Sequence, residues 1–170
     1  MMEKEIMEWL KSIVVALIIG VIITTFAQPT IVRGPSMEPT LQNNNLLLVN
    51  RLLYKLKEPN HGDIIVFRLE AEKRNLIKRV IGVAGDTVEI SSGIVYVNGS
   101  ELEEVYLDDI DISSKDQQVV VPRNSVFVLG DNRNDSKDSR NTEVGTVNKE
   151  LILGKAYLRL FPFNKLGKIR

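Results

Sequence analysis

The chain has 170 residues, 44% of them hydrophobic and 26% charged, and 22 basic side chains balance 22 acidic ones. That composition excludes a disordered chain and offers no basic stripe for nucleic acid. With no cysteine and one histidine, disulfides, thiol catalysis and Cys- or His-rich metal sites are excluded as well.

The first element is apolar. No charge occurs between Ser12 and Val32, a stretch bracketed by Lys11 and Arg33, and Ile13–Ile23 is almost wholly aliphatic. As a helix it would span roughly 31 Å, the thickness of a bilayer core. Trp9 sits where an interfacial aromatic is expected. The acidic start (Glu3, Glu5, Glu8) disfavours a cleavable leader. The expected organisation is a flank over 1–11, a single transmembrane anchor over 12–32 and a β domain over 33–170. Charge counting leaves the orientation open, because Lys4 and Lys11 face Arg33 and Arg51 across the span.

Beyond Pro29, Pro35 and Pro39 the pattern turns to strands. Leu46–Val49 is short and apolar, and Leu52-Leu53-Tyr54 could begin a helical turn. Pro59-Asn60-His61-Gly62 reads as a turn before Asp63–Leu69, whose Ile64-Ile65-Val66-Phe67 core suits a strand covered on both faces. Leu76–Val83 carries the charged pair Lys78-Arg79, which alternation sends to opposite faces. Thr87–Val97 is a hairpin, with Asn98-Gly99 closing a second turn. The acidic stretch Glu101–Asp116 reads as a mobile surface loop. Val119–Val121, Ser125–Leu129 and Leu151–Leu160 complete the strands. Spacings of 8–15 residues with Gly, Asn and Pro between strands imply a mostly β fold, an antiparallel sandwich or barrel behind the N-terminal helix.

Three segments place polar residues oddly. In Gly34-Pro35-Ser36-Met37-Glu38-Pro39-Thr40 a glycine and two prolines hold one serine hydroxyl in a stiff frame. Such a frame suits a nucleophile, since misplacement by about 1 Å can cost about a hundredfold in rate; it also suits a linker. Lys78 lies inside an apolar strand. Burial would disfavour its charged form and make it a candidate base, whereas on an edge strand it would be an ordinary solvated lysine. The third segment, Gly130–Arg140, holds eleven residues without an apolar side chain directly after a strand. It reads as a solvated loop; the EF-hand spacing is wrong for calcium, and Arg133 and Arg140 intrude. Nucleophile-elbow and Ser-x-x-Lys signatures are absent.

Taken in order, these segments resemble the sequence boxes of type I signal peptidases, in the minimal form of Gram-positive-type bacterial members. The boxes are the apolar anchor, Ser36-Met37-Glu38-Pro39-Thr40-Leu41, Gly62–Phe67, Lys78–Asp86, and Gly130-Asp131-Asn132-Arg133 through Ser136, Asp138, Ser139 and Arg140. The resemblance implies a membrane-bound serine endopeptidase without cofactor or metal that removes signal peptides from exported preproteins. Ser36 matches its nucleophile, Lys78 its general base and Ser136 the serine that orients the lysine. Asp138 and Arg140 match a structural ion pair, and Arg79 and Asp131 match charged residues supporting the site. Val32, Met37, Leu41 and Ile77 fall in its substrate pocket. Its partners are preprotein signal peptides and the lipid bilayer, and its catalytic domain is extracytoplasmic. Some members carry a serine two residues before the nucleophile that helps the oxyanion hole. Here that residue is Gly34, leaving the Ser36 backbone N–H as the visible donor. A self-cleaving repressor-type Ser–Lys protease would share the dyad, but the anchor and the lack of a DNA-binding segment argue against it. A membrane-tethered binding domain without catalysis would need no neutral lysine.

Overall fold

A computed structural model describes residues 2–107 and 115–169, without the side chains of residues 2–4, 19 and 21–25. The uncharged N-terminal stretch forms two elements rather than one. Helix α1 (Met2–Phe26) ends before strand β1 (Ala27–Ile31), because Pro29 cannot continue a helix. Residues 27–32 therefore belong to the β domain, and the expected boundary at 33 moves back. Among the described residues no helix is long and apolar enough to cross a membrane. Residues 19 and 21–25 of the expected span lie outside the described side chains. Over the described part of α1, the apolar side chains of Ile6, Met7, Trp9, Leu10, Ile13, Val14, Val15, Leu17 and Ile18 are each more than half exposed.

The remaining chain is antiparallel β. In chain order follow β2 (Leu46–Asn50), the short helix α2 (Leu53–Leu56), β3 (Ile64–Leu69), β4 (Arg74–Gly82), β5 (Thr87–Ser91), β6 (Ile94–Val97), β7 (Ser100–Glu101), β8 (Gln117–Val120), β9 (Ser125–Leu129), β10 (Val147–Asn148), β11 (Ile152–Phe161) and β12 (Gly167–Lys168). The larger sheet runs β1-β2-β11-β3-β4-β9-β10, with β12 against β11; the smaller runs β7-β6-β5-β8. The expected mostly β architecture is present as these two antiparallel sheets.

Alternation in β3 covers both faces, as its composition requires. Ile65, Phe67 and Leu69 enter one cluster with Tyr54, Val80 and Val128, and Ile64 and Val66 enter another with Val32, Met37, Leu41 and Leu47. A third cluster, with Ile81, Val88, Ile90, Phe127 and Leu129, fills the space toward the smaller sheet. Strand β4 is thus central, between β3 and β9. Gly82 lets it pass the smaller sheet: a Cβ there would lie 2.4 Å from Val88 Cγ2. The register sets Arg79 opposite Ile64 on one side and Leu129 on the other, so the polar run beginning at Gly130 emerges beside Lys78-Arg79.

The turn expected around His61 is present, with His61 Nε2 hydrogen-bonded to Asp86 Oδ2 at 2.7 Å. The acidic stretch 101–116 departs from expectation in its described part. Glu104 and Tyr106 are held by side-chain bonds rather than free in solvent; residues 108–114 of the expected mobile loop lie outside the described residues.

Candidate active site

Ser36 sits on the turn that follows β1. Glu38 N–H donates to Pro35 O at 2.9 Å and Leu41 N–H to Met37 O at 2.7 Å, so the segment coils once on itself. Met37 and Leu41, four residues apart, plug this coil into the core. Its entry is fixed by Gly34, whose φ of +86° is a left-handed value that a side chain would strain. A serine at that position would have to adopt this same backbone.

From β4, Lys78 reaches the turn. Its Nζ lies 2.7 Å from Ser36 Oγ and donates to Ile77 O at 2.9 Å. Lys78 is 1% exposed and Arg79 2%, so both cations of the pair are inside, where strand alternation required only one. Burial pushes the Lys78 ammonium down to about 8; Arg74 and Arg140 add to that, while the carboxylates of Asp138 and Asp131 oppose it. At pH 7 roughly one lysine in ten is then neutral, against fewer than one in a thousand for an ordinary lysine.

The loop after β9 closes over the turn. Asn132 N–H donates to Ser36 O at 3.2 Å, and Gly130 packs flat on the same carbonyl. A Cβ on Gly130 would lie 2.4 Å from Ser36 O and 2.1 Å from Ser136 Oγ, so the close approach requires glycine. Asp138, fully buried, accepts from Gly130 N–H at 2.9 Å and is gripped by both Arg140 Nε and Nη2 at 2.8 Å. Ser139 Oγ accepts from Val128 N–H at 2.9 Å, sealing the loop onto β9. Arg79 holds Asp131 in the same two-pronged way, at 2.8 and 2.7 Å, and also donates to Gly62 O and Thr40 Oγ1.

Ser36, Lys78, Arg79, Asp131, Asp138 and Arg140 are therefore brought together. Ser136 is beside them, but its buried hydroxyl has no hydrogen-bond partner among the described residues, and Lys78 bonds Ile77 O instead. A cleft of about 400 Å³ opens on Ser36 and Lys78, walled by Thr30–Arg33 on one side and Arg74–Lys78 on the other. Val32, Met37 and Ile77 line it, and Val66 joins them. Leu41 does not line it; wholly buried, it anchors the Ser36 turn from below. A larger hollow of about 750 Å³ beside α2 contains neither Ser36 nor Lys78.

Sequence reasoning missed Gly130 and Asn132, whose roles depend on approach distance, and the trio Arg133, Glu104 and Tyr106. Arg133 Nε donates to Gly130 O at 3.0 Å while its guanidinium grips Glu104. The polar run flagged Arg133, but nothing local marks Glu104 or Tyr106.

Residues 6–161 match the family model described as signal peptidase, peptidase S26. Signal peptidase I S of Bacillus subtilis (strain 168) is 38% identical over 98% of this chain and 95% of its own. A probable signal peptidase I-2 of Synechocystis sp. is 40% identical, over 97% of this chain and 78% of its own. The crystal structure of a signal peptidase I from Enterococcus faecalis V583 superposes with a TM-score of 0.52 at 34% identity, covering 58% of this chain and 97% of that one. A family model spanning nearly the whole chain and relatives of this closeness leave one reading: the chain belongs to the signal peptidase family, peptidase S26.

Proposed function

We propose that the chain removes signal peptides at the extracytoplasmic surface of the cell membrane by a Ser36–Lys78 dyad. Family membership makes it a serine peptidase acting on signal peptides; the dyad and its placement are this reading's own. The 2.7 Å contact between Ser36 Oγ and an almost wholly buried Lys78 Nζ carries it. Neutral Lys78 takes the Ser36 proton as Oγ attacks the scissile carbonyl carbon, and the carbonyl π electrons move onto oxygen. The oxyanion is held by the Ser36 N–H, which makes no hydrogen bond among the described residues. Collapse expels the mature chain's amine, which receives the proton from Lys78. A water deprotonated by the same lysine then cleaves the acyl ester, releasing the signal peptide and restoring Ser36. Ser136 supplies a buried acceptor for the lysine in its charged state, by a rotation of its unpartnered hydroxyl. Arg79–Asp131 and Asp138–Arg140 keep the surrounding loop in place.

The substrate lies extended in the cleft. The wall Thr30–Arg33 continues β1, an edge strand of the larger sheet, and a free edge can pair with an added strand. Val32, Met37, Val66 and Ile77 form an apolar floor suited to small side chains. In α1 the exposed aliphatics have no protein cover, and lipid is the solvent that suits them. Exported chains emerge outside, so the β domain is extracytoplasmic. Processing of a synthetic preprotein by wild type, Ser36→Ala and Lys78→Ala tests the proposal. Cleavage that survives either substitution sinks the dyad.

A further inference from the structure

Two arginines and two carboxylates meet on the far side of the catalytic loop. Arg79 is paired with Asp131, and Arg133 with Glu104. Tyr106 joins the pairs. Its ring lies over the Arg79 guanidinium with 3.8 Å between Cζ and the ring centroid, and its hydroxyl donates to Glu104 Oε1 at 2.6 Å. The four charges cancel and all are largely buried, so each ion depends on the others for compensation. Burial and the Glu104 carboxylate hold the Tyr106 phenol well above its ordinary range, which keeps it a donor.

This network is attached to the nucleophile. Arg133 Nε donates to Gly130 O, Arg79 holds the Asp131 carboxylate, and the next residue, Asn132, donates its N–H to Ser36 O. Glu104 and Tyr106 stand on the loop that follows β7, the edge strand of the smaller sheet, remote in sequence from Ser36 and Lys78. We propose that Glu104 and Tyr106 are positioning residues: a clamp from the smaller sheet that holds Gly130–Arg133 against Ser36 and so sets where the nucleophile stands. The inference rests on Ser36 being the nucleophile. Removing the Glu104 charge leaves Arg133 buried without its carboxylate. Removing the Tyr106 ring opens the face of Arg79 and deprives Glu104 of one donor. In either case the Asn132–Ser36 bond loosens.

The test uses the full chain in detergent micelles as wild type, Glu104→Gln, Tyr106→Leu and Tyr106→Phe. Two quantities are measured: kcat and KM on a preprotein peptide, and amide hydrogen exchange at Asn132. Glu104→Gln and Tyr106→Leu are expected to lower kcat by about tenfold or more with KM within about twofold, since displacement of under 1 Å suffices. Asn132 exchange should accelerate by about tenfold while the Val80 amide in β4 keeps its protection, a local loosening that general destabilisation does not produce. Tyr106→Phe keeps the ring over Arg79 but not the hydroxyl on Glu104, and should restore both in part. The proposal is overturned if kcat stays within twofold of wild type in the folded variants, or if Asn132 exchange does not change. Should Glu104→Gln fail to fold, Tyr106→Leu decides, because it leaves every ion pair in place. Should wild type cleave no preprotein, the proposed function falls while Asn132 exchange still judges the clamp.

Discussion

Replacing Lys78 with methionine, which has a similar shape and no charge, separates what the lysine does for chemistry from what it costs the fold. An ordinary lysine titrates at 10.5 and this one at about 8. The unfolded chain therefore binds a proton more tightly than the folded chain, and stability rises with pH between those two values. At about 1.4 kcal/mol per pH unit, keeping Lys78 folded costs about 3 kcal/mol at pH 7, about 2 at pH 9 and under about 1 at pH 10. Methionine removes that cost but forfeits the bonds to Ser36 and Ile77 O, worth about 1 kcal/mol each. The variant should be inactive yet more stable than wild type at pH 7, and no more stable at pH 10. Urea unfolding of both proteins in the same detergent, from pH 6.5 to 10, gives a difference curve in which other titrations cancel. That difference should close by about 2–3 kcal/mol across the range. Parallel curves would refute the claim that burial holds this lysine down.

The same lowered value shapes the pH profile of catalysis: kcat/KM should rise about tenfold from pH 6 to 7 and level off above about 9, a limb that kinetic titration reads directly. Gly130→Ala drives a methyl into Ser36 O and Ser136 Oγ and should cost about a hundredfold in kcat; adding Ser136→Gly should not rescue it, since the clash with the Ser36 carbonyl remains. Ser136→Ala removes a buried hydroxyl without a partner, so thermal unfolding should show a gain of about 1 kcal/mol. Its turnover should fall nonetheless, and a rate unchanged across the pH profile would remove Ser136 from the mechanism.

Much of the site was legible because it lies in short polar boxes between apolar strands. Ser36 and Lys78 stood out as a hydroxyl in a stiff frame and a cation in an apolar run, and β3 and β9 were readable from their aliphatic runs. The missing pieces share one character. β1 was hidden because Ala27–Ile31 continues an uncharged stretch whose first part is helical, and only Pro29 hinted at the break. The resemblance places Leu41 in the pocket, whereas it is wholly buried; burial and pocket lining draw on the same apolar residues. Gly130 is required by a collision distance, and Glu104 and Tyr106 by partners about 30 residues away; no local pattern encodes either. Asn148 illustrates the opposite case, a short polar residue that caps the turn after β10 by accepting from Glu150 N–H.

Helix α1 passes into β1 without an intervening residue, and Arg51 N–H donates to Phe26 O across the joint. Five strand residues at about 3.3 Å each then lead toward the nucleophile turn. In the proposed placement of α1 in lipid, this junction is a ruler that sets the height of Ser36 above the bilayer. On the same proposal a substrate is cut where its own chain reaches that height, so the first strand would measure the spacing between a signal helix and its cleavage site. Two residues inserted between Phe26 and Ala27 would lengthen the gauge, and cleavage should move outward along the preprotein in step.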